Sequence, residues 1–230
     1  PDAVPPQEFN NALKAYTVIF EKYPDTLSAK RARIGMGALY LAKKENVKAR
    51  EVFKKAIEFY PDDKAICIEA RFAIAKSYEN EDLWDNALIE YKGMIRDYPD
   101  TDMGLSLPVY IARHYEKEKD AIEADNAYRE AIAHYKALAE KNPNTVLGYK
   151  AREFIVTCYL KKEDWEEAVN SMEKMVMDYP MARTVPASMR LVSDISINKL
   201  KDPGKAIEIF HKFLSTHPRH PAKEFIQKGL

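Results

Sequence analysis

Residues 25–61 read DTLSAKRARIGMGALYLAKKENVKAREVFKKAIEFYP, and the spacing of the apolar and small residues within this stretch decides the fold. In its first half Ala32, Met36, Gly37 and Tyr40 fall on one face of a helix. The polar run Lys43–Asn46 interrupts that face, with Asn46 placed to cap a second helix. In the second half Ala49, Phe53, Ala56 and Tyr60 again keep helical spacing. Pro61 ends the stretch, because the residue before a proline is pushed out of the α region. The stretch therefore predicts two antiparallel helices joined by a short turn.

The same pattern recurs along the rest of the chain. "EKYPDT" at 21–26 returns as "EFYPDD" at 58–63 and "RDYPDT" at 96–101, then as "EKNPNT" at 140–145, "MDYPMA" at 177–182 and "STHPRH" at 215–220. The closing prolines Pro24, Pro61, Pro99, Pro143, Pro180 and Pro218 are 37, 38, 44, 37 and 38 residues apart. A period of this size marks stacked repeats, in which each unit contacts chiefly its neighbours. The long spacing exceeds the others by about seven residues, two helical turns, so it lengthens a helix while keeping its apolar face in phase. Twelve residues before each proline stands a small residue: Ala12, Ala49, Ala87, Ala131, Ala168 or Ala206. Four residues after it comes a bulky one: Tyr16, Phe53, Tyr91, Tyr135, Met172 or Phe210. Small residues admit close helix approach and the bulky ones fill the space beside them.

In this register Gly37, Tyr40, Ala49, Phe53, Ala56 and Pro61 match the small–aromatic–Ala–Phe–Ala–Pro pattern, and the chain resembles the tetratricopeptide repeat (TPR) family over nearly its whole length. The tryptophan usual early in the first helix is replaced by Arg33, Arg71, Arg152 and Arg190, with Pro108 in the long unit. The resemblance implies an all-α, right-handed solenoid of five helix pairs with a partial unit at each end, one domain over 1–230. Residues 7–22 then form a second helix without its first, and residues 221–230 open a first helix without its second, so more protein is expected on one or both sides. The YPDT phrase and the 37–38-residue period also resemble TPR proteins of bacterial cell envelopes, of the Tol-Pal-associated periplasmic and outer-membrane assembly lipoprotein types. That likeness implies a periplasmic or outer-membrane-associated location.

For function, the family resemblance implies a non-enzymatic scaffold that holds a protein or peptide segment in a groove lined by first helices. The inward-facing positions, carried onto this sequence, are Arg31, Ile34, Ala38 and Leu41, then Glu69, Phe72, Lys76 and Glu79. The later units add Ser106, Val109, Arg113 and Glu116, then Lys150, Glu153, Thr157 and Leu160. Phe72 has no duty in the repeat skeleton and is expected to anchor the partner. Ile34 and Ala38 stand where chaperone-binding relatives carry the Lys and Asn of a carboxylate clamp, so no such clamp is expected.

Composition narrows the alternatives. With 36 basic against 36 acidic side chains there is no basic footprint for nucleic acid, and no apolar run approaches a membrane span. Seven glycines and no GxGxxG or GxxxxGK[ST] leave no phosphate loop, and no cofactor is expected. No nucleophile–base–acid constellation is legible. The acidic runs at 81–85 and 163–167 complement helix starts. Met172 and Met175 occupy core positions, and Cys67 and Cys158 read as small buried hydrophobes. The arginine series is expected to stack on the tyrosine that ends the preceding unit, or to pair with an acid. The rival functional reading is a metal-binding or enzyme-associated module built on His211, His217 and His220. Against it, His217 holds the place of Tyr23, Tyr60 and Tyr98, and His220 stands where it can cap the last helix.

The seven extra residues carry their own expectation. Asp120 should cap a second helix running from about Ala121 to Lys141, whose overhang buries Ile122 and Ala124 against a neighbouring loop or offers them to a partner.

Overall fold

A computed structural model describes residues 5–227, and among them the chain forms twelve α-helices and no strand. The helices are α1 (Pro6–Lys22), α2 (Leu27–Ala42), α3 (Asn46–Phe59), α4 (Lys64–Glu79), α5 (Trp84–Asp97) and α6 (Asp102–Lys117), and then α7 (Ala121–Lys141), α8 (Val146–Lys161), α9 (Trp165–Asp178), α10 (Val185–Asn198), α11 (Pro203–Thr216) and α12 (Lys223–Gln227). The chain divides into two compact units, residues 1–107 and 108–230. The division falls inside α6 at Pro108, which has no N–H to return to the carbonyl of Gly104.

In the first unit α1, α2, α3, α4 and α5 pack in chain order, and α2 also lies on α4. The core there joins Ile34, Ala49, Phe53, Ala56, Ile66, Ala70 and Ile74. The small residues are needed where they stand: a Cβ on Gly37 would lie 2.4 Å from the Phe53 ring. In the second unit α7, α8, α9, α10 and α11 pack in chain order, with α12 closing on α10 and α11. The recurring small and bulky positions are buried as expected except in α1, where Ala12 and Tyr16 are only half-buried. Ala49, Ala87 and Ala168 are fully buried, Ala131 and Ala206 nearly so, and Phe53, Tyr91, Tyr135, Met172 and Phe210 fill the core beside them.

The helix ends are set by local chemistry. Five of the second helices stop at a C-cap residue with φ from −128° to −136°, namely Tyr23, Tyr60, Tyr98, Tyr179 and His217, each preceding its proline. That extended backbone is what the proline ring imposes on its predecessor. First helices α2, α4 and α8 are capped by side chains, whereas α10 is not: Thr26 accepts from the Ala29 amide, Asp63 from Ile66 and Thr145 from Gly148. Between the helices of the first four pairs the chain makes one recurrent turn. The carbonyls of Tyr40, Tyr78, Tyr115 and Tyr159 accept from the amides of Glu45, Leu83, Asp120 and Asp164 at 2.9–3.0 Å. The residue before each of those amides is left-handed: Lys44, Asp82, Lys119 and Glu163, with φ of 57–62°. This is the closing geometry that glycine usually occupies, here built without glycine.

The structure corrects two local expectations, at Asn46 and Ile122, and decides a third, the partners of the arginines. Asn46 is the first residue of α3, with Glu45 at the cap, and its buried Oδ1 has no hydrogen-bond partner. Of the two partners expected for the arginines, the acid is the one met at Arg71 and Arg152, and Arg33 meets aromatic rings other than the tyrosine ending the preceding unit. Arg71 and Arg152 pair with Asp97 and Asp178, the last residues of the second helix in their own pair, and Arg33 lies 3.6 Å from the Phe59 ring at the same position and 4.6 Å from Phe20. The α7 overhang begins at Ala121 with Asp120 as its cap, accepting from the Glu123 amide. It buries Ala124 but leaves Ile122 75% exposed. Ala124 faces inward with Ala127 and Tyr128, three and four residues on; Ile122 points away from that face.

Candidate functional site

The first-helix positions singled out in the sequence differ in how far the core consumes them. On α2, Arg31 and Ala38 are exposed, Leu41 is half-buried against the core, and Ile34 is inside it at 9% exposure. On α4, Glu69 is exposed and Phe72, Lys76 and Glu79 are half-buried. Because α2 lies on α4, Arg31, Ala38, Glu69 and Phe72 belong to adjacent helices.

The α4 residues are bound together rather than loose. The Phe72 ring sits 6.0 Å from the ring of Tyr91, which is itself buried. Tyr91 Oη donates to Glu79 Oε1 at 2.7 Å, and the other oxygen of Glu79 takes the ammonium of Lys76. Trp84 closes the cluster with its ring 6.1 Å from Tyr91. Phe72 therefore does have a packing duty, which its position outside the repeat skeleton concealed. It covers a buried tyrosine whose hydroxyl fixes a carboxylate and, through it, a lysine. One face of the ring supports the fold and the remainder is open.

In the second unit Arg113 and Glu116 are exposed, as is Ser106 at the end of the first, while Val109 is buried. On α8, Lys150, Glu153, Thr157 and Leu160 are all half-buried. Tyr149 Oη donates to Glu153 Oε1 at 2.7 Å and also meets the Thr184 hydroxyl, and Thr157 Oγ1 donates to the Glu153 carbonyl at 2.9 Å. A tyrosine holding a first-helix carboxylate thus recurs in both units, with different partners.

The C-terminal histidines are placed apart in role. His211 is exposed on α11. His217 is the C-cap of α11, its Nδ1 3.0 Å from Thr216 Oγ1, and its ring is stacked on Phe213 at 4.9 Å. His220 donates from Nε2 to the Pro180 carbonyl at 2.7 Å and accepts at Nδ1 from the Ala222 amide at 3.0 Å, so both ring nitrogens are occupied. Among the described residues no group of three His, Cys, Asp or Glu side chains is placed to hold a metal ion. Both cysteines are free thiols in the core, and burial pushes the Cys158 thiol up to about 12, so little thiolate forms near neutral pH. Among the same residues no helix is long and apolar enough to cross a membrane.

One tetratricopeptide repeat family model matches residues 7–64 and a second matches residues 69–101. Among solved structures, the chain is similar to BtubC from P. vanneervenii, with 12% identity, 94% of this chain and 92% of that one covered, and a TM-score of 0.46. It is also similar to YrrB, described as a TPR protein with an unusual peptide-binding site, at 16% identity, 94% and 99% coverage and a TM-score of 0.41. A thermophilic TPR protein of Thermus thermophilus matches at 15% identity, 87% and 98% coverage and a TM-score of 0.43. No curated protein matches the sequence.

Proposed function

We propose that this chain, with tetratricopeptide repeats at residues 7–64 and 69–101, is a non-enzymatic scaffold that binds a protein or peptide segment along its first helices. Tetratricopeptide repeats mediate protein–protein interactions, and the observation that carries the reading here is the α2–α4 face. It sets an open aromatic edge, Phe72, among charges of both signs, Arg31, Glu69, Lys76 and Glu79. An apolar anchor ringed by mixed charge suits a peptide with one bulky side chain and charged flanks. Phe72 is the anchor; Arg31 and Glu69 set orientation, and Leu41 extends the apolar contact. In the second unit Arg113, Lys150, Glu153 and Thr157 stand at the corresponding first-helix positions and offer a polar surface of that unit's own. The YPDT phrase and the repeat period support a setting in the assembly of a bacterial cell envelope.

The test uses the whole chain and an array of peptides, with affinities then measured for those retained. Phe72→Ala should weaken binding about tenfold or more, as expected for a buried aromatic anchor. Because that change also uncovers Tyr91, the charge-reversing Glu69→Lys at an exposed position serves as a second variant. Unchanged affinity in both, with helicity intact, would overturn the groove assignment. Fractionation of the native cells tests the envelope setting, and recovery in the cytoplasm alone would refute it.

A further inference from the structure

Away from the first-helix face, the second unit contains a cavity of about 260 Å³ between α7, α8 and α9. Its floor is apolar, made by Ala139 and Ile155, both buried. Its walls carry Lys136 from α7, Arg152 from α8, and Ser171 and Lys174 from α9, with Glu140 at the side. Three cations against one carboxylate leave the lining positive, and the Arg152–Asp178 pair still leaves an excess of one. Neither Lys136 nor Lys174 enters an ion pair among the described residues, although Lys136 Nζ is steadied by a hydrogen bond to Tyr159 Oη at 3.1 Å. Arg152 is anchored from one side by Asp178 through Nη2, and its buried Nε has no acceptor.

The neighbouring repeats carry the same arginine without this surrounding. At Arg71 the residues in register with Ser171 and Lys174 are Glu90 and Gly93, so a carboxylate replaces the hydroxyl and one cation is lost. At Arg33 the place of Lys136 is held by Thr17, and the guanidinium is covered by Phe20 and Phe59. Of these three arginine positions, only Arg152 has both lysines.

We infer that this cavity is a binding site for a phosphate group. Three cationic donors and a hydroxyl, supplied from three helices, surround the space on several sides. That arrangement suits a tetrahedral oxyanion with oxygens in several directions, whereas a planar carboxylate would be met by the arginine fork alone. The phosphate is either free or carried on a side chain of a partner, and the chemistry that recognises it is the same. This inference stands independently of the first-helix groove.

Calorimetric titration of the full chain with inorganic phosphate, against sodium chloride at equal ionic strength, tests it. Saturable binding is expected. In the double variant Lys136→Gln with Lys174→Gly, which copies Gly93, affinity should fall about tenfold or more, since hydrogen bonds to charged groups carry that much each. Lys54→Gln, in register with Lys136 but beside Arg71, should bind as the parent does. Absence of saturable binding, equal affinity in the double variant, or equal weakening by Lys54→Gln would each overturn the site. Unfolding temperatures of the unliganded variants show whether a loss reflects the site or the fold. A phosphoserine peptide that binds more tightly than free phosphate supports the site with a phosphorylated protein as the source, and equal affinities support it with free phosphate.

Discussion

Helices α5 and α7 occupy the same place in their repeats, yet one has 14 residues and the other 21. Both turns leading into them are the same: Leu83 and Asp120 donate to the carbonyls of Tyr78 and Tyr115, behind left-handed Asp82 and Lys119. Beyond them, Ala87 and Tyr91 in α5 are matched by Ala131 and Tyr135 in α7, all four buried. The additional two turns therefore sit between the turn and the skeleton, adding length without moving either. Their fate is decided by packing. Ala124 and Ala127 are buried and Asp125 holds Lys162 at 2.6 Å, while Ile122 is left in solvent. A two-turn insertion disturbs the repeat little because it is in phase, and only part of it finds something to cover.

If the skeleton is common to the two helices, removing its bulky member should cost the same in both. Tyr91→Ala and Tyr135→Ala should each destabilise by about 3–5 kcal/mol, the range for deleting a fully buried aromatic ring. Chemical denaturation measures this, and a difference of more than about half between them would break the equivalence.

Removing the insertion should cost less. Deleting residues 121–127 joins Asp120 to Tyr128, so the chain reads Tyr-Glu-Lys-Glu-Lys-Asp-Tyr where the next pair reads Tyr-Leu-Lys-Lys-Glu-Asp-Trp. The native turn and cap are kept. We expect a folded chain with the lost helicity confined to two turns, destabilised by about 1–2 kcal/mol for the lost alanine burial and the Asp125–Lys162 pair. Deleting 117–123 also keeps phase but places Asn126 in the left-handed position, so it should fold as well. Loss of cooperative unfolding in both would show the overhang to be structural.

The two helices differ at their ends too: α5 closes on Asp97 and α7 on Lys141. Hydrogen bonds from Arg96 and then Arg71 lower Asp97 to about 2. The folded state thus holds its proton less tightly than the unfolded chain, so the contribution is present above about pH 4 and disappears as pH falls through about 2. Asp97→Asn should flatten the stability–pH curve in that window, and above pH 5 it should lower the curve by a constant amount without changing its slope. Asp97 is partly exposed, and the effect is correspondingly modest.

The smallest effect concerns the shared turn. A non-glycine residue in the left-handed region costs about 1–2 kcal/mol, and glycine's greater freedom in the unfolded chain offsets part of the relief. Asp82→Gly and Lys119→Gly should therefore each stabilise by about 0.5 kcal/mol. Destabilisation by either would mean that the replaced side chain contributes more than its backbone costs.

Much of this was legible in one dimension. The alanine and bulky positions were readable because a residue that must be small or large at a helix crossing has no substitute, and the crossing recurs. The ends of the second helices were readable because proline restricts its predecessor whatever surrounds it. The start of α7 at Ala121, with Asp120 as cap, came from register alone. The polar turns between the helices were placed by the same register, as at Lys43–Asn46, but their left-handed residue was not read, because its usual glycine signal is absent: Lys44, Asp82, Lys119 and Glu163 carry that conformation instead. Of the candidate site, the first-helix positions came from register, but register could not say that Ile34 would be drawn into the core or that Phe72 would cover Tyr91.

The sequence by itself determined that this chain repeats a helix pair, where each pair ends, and that the long unit is long by whole turns. These are properties of spacing, and spacing is local. Only the tertiary structure decided which acid or ring meets Arg33, Arg71 and Arg152, that Ile122 stays in solvent, and that Lys136 and Lys174 converge on one arginine and not on the others. Those outcomes depend on side chains from different helices, some of them more than 20 residues apart in the chain, and no period within one helix records them.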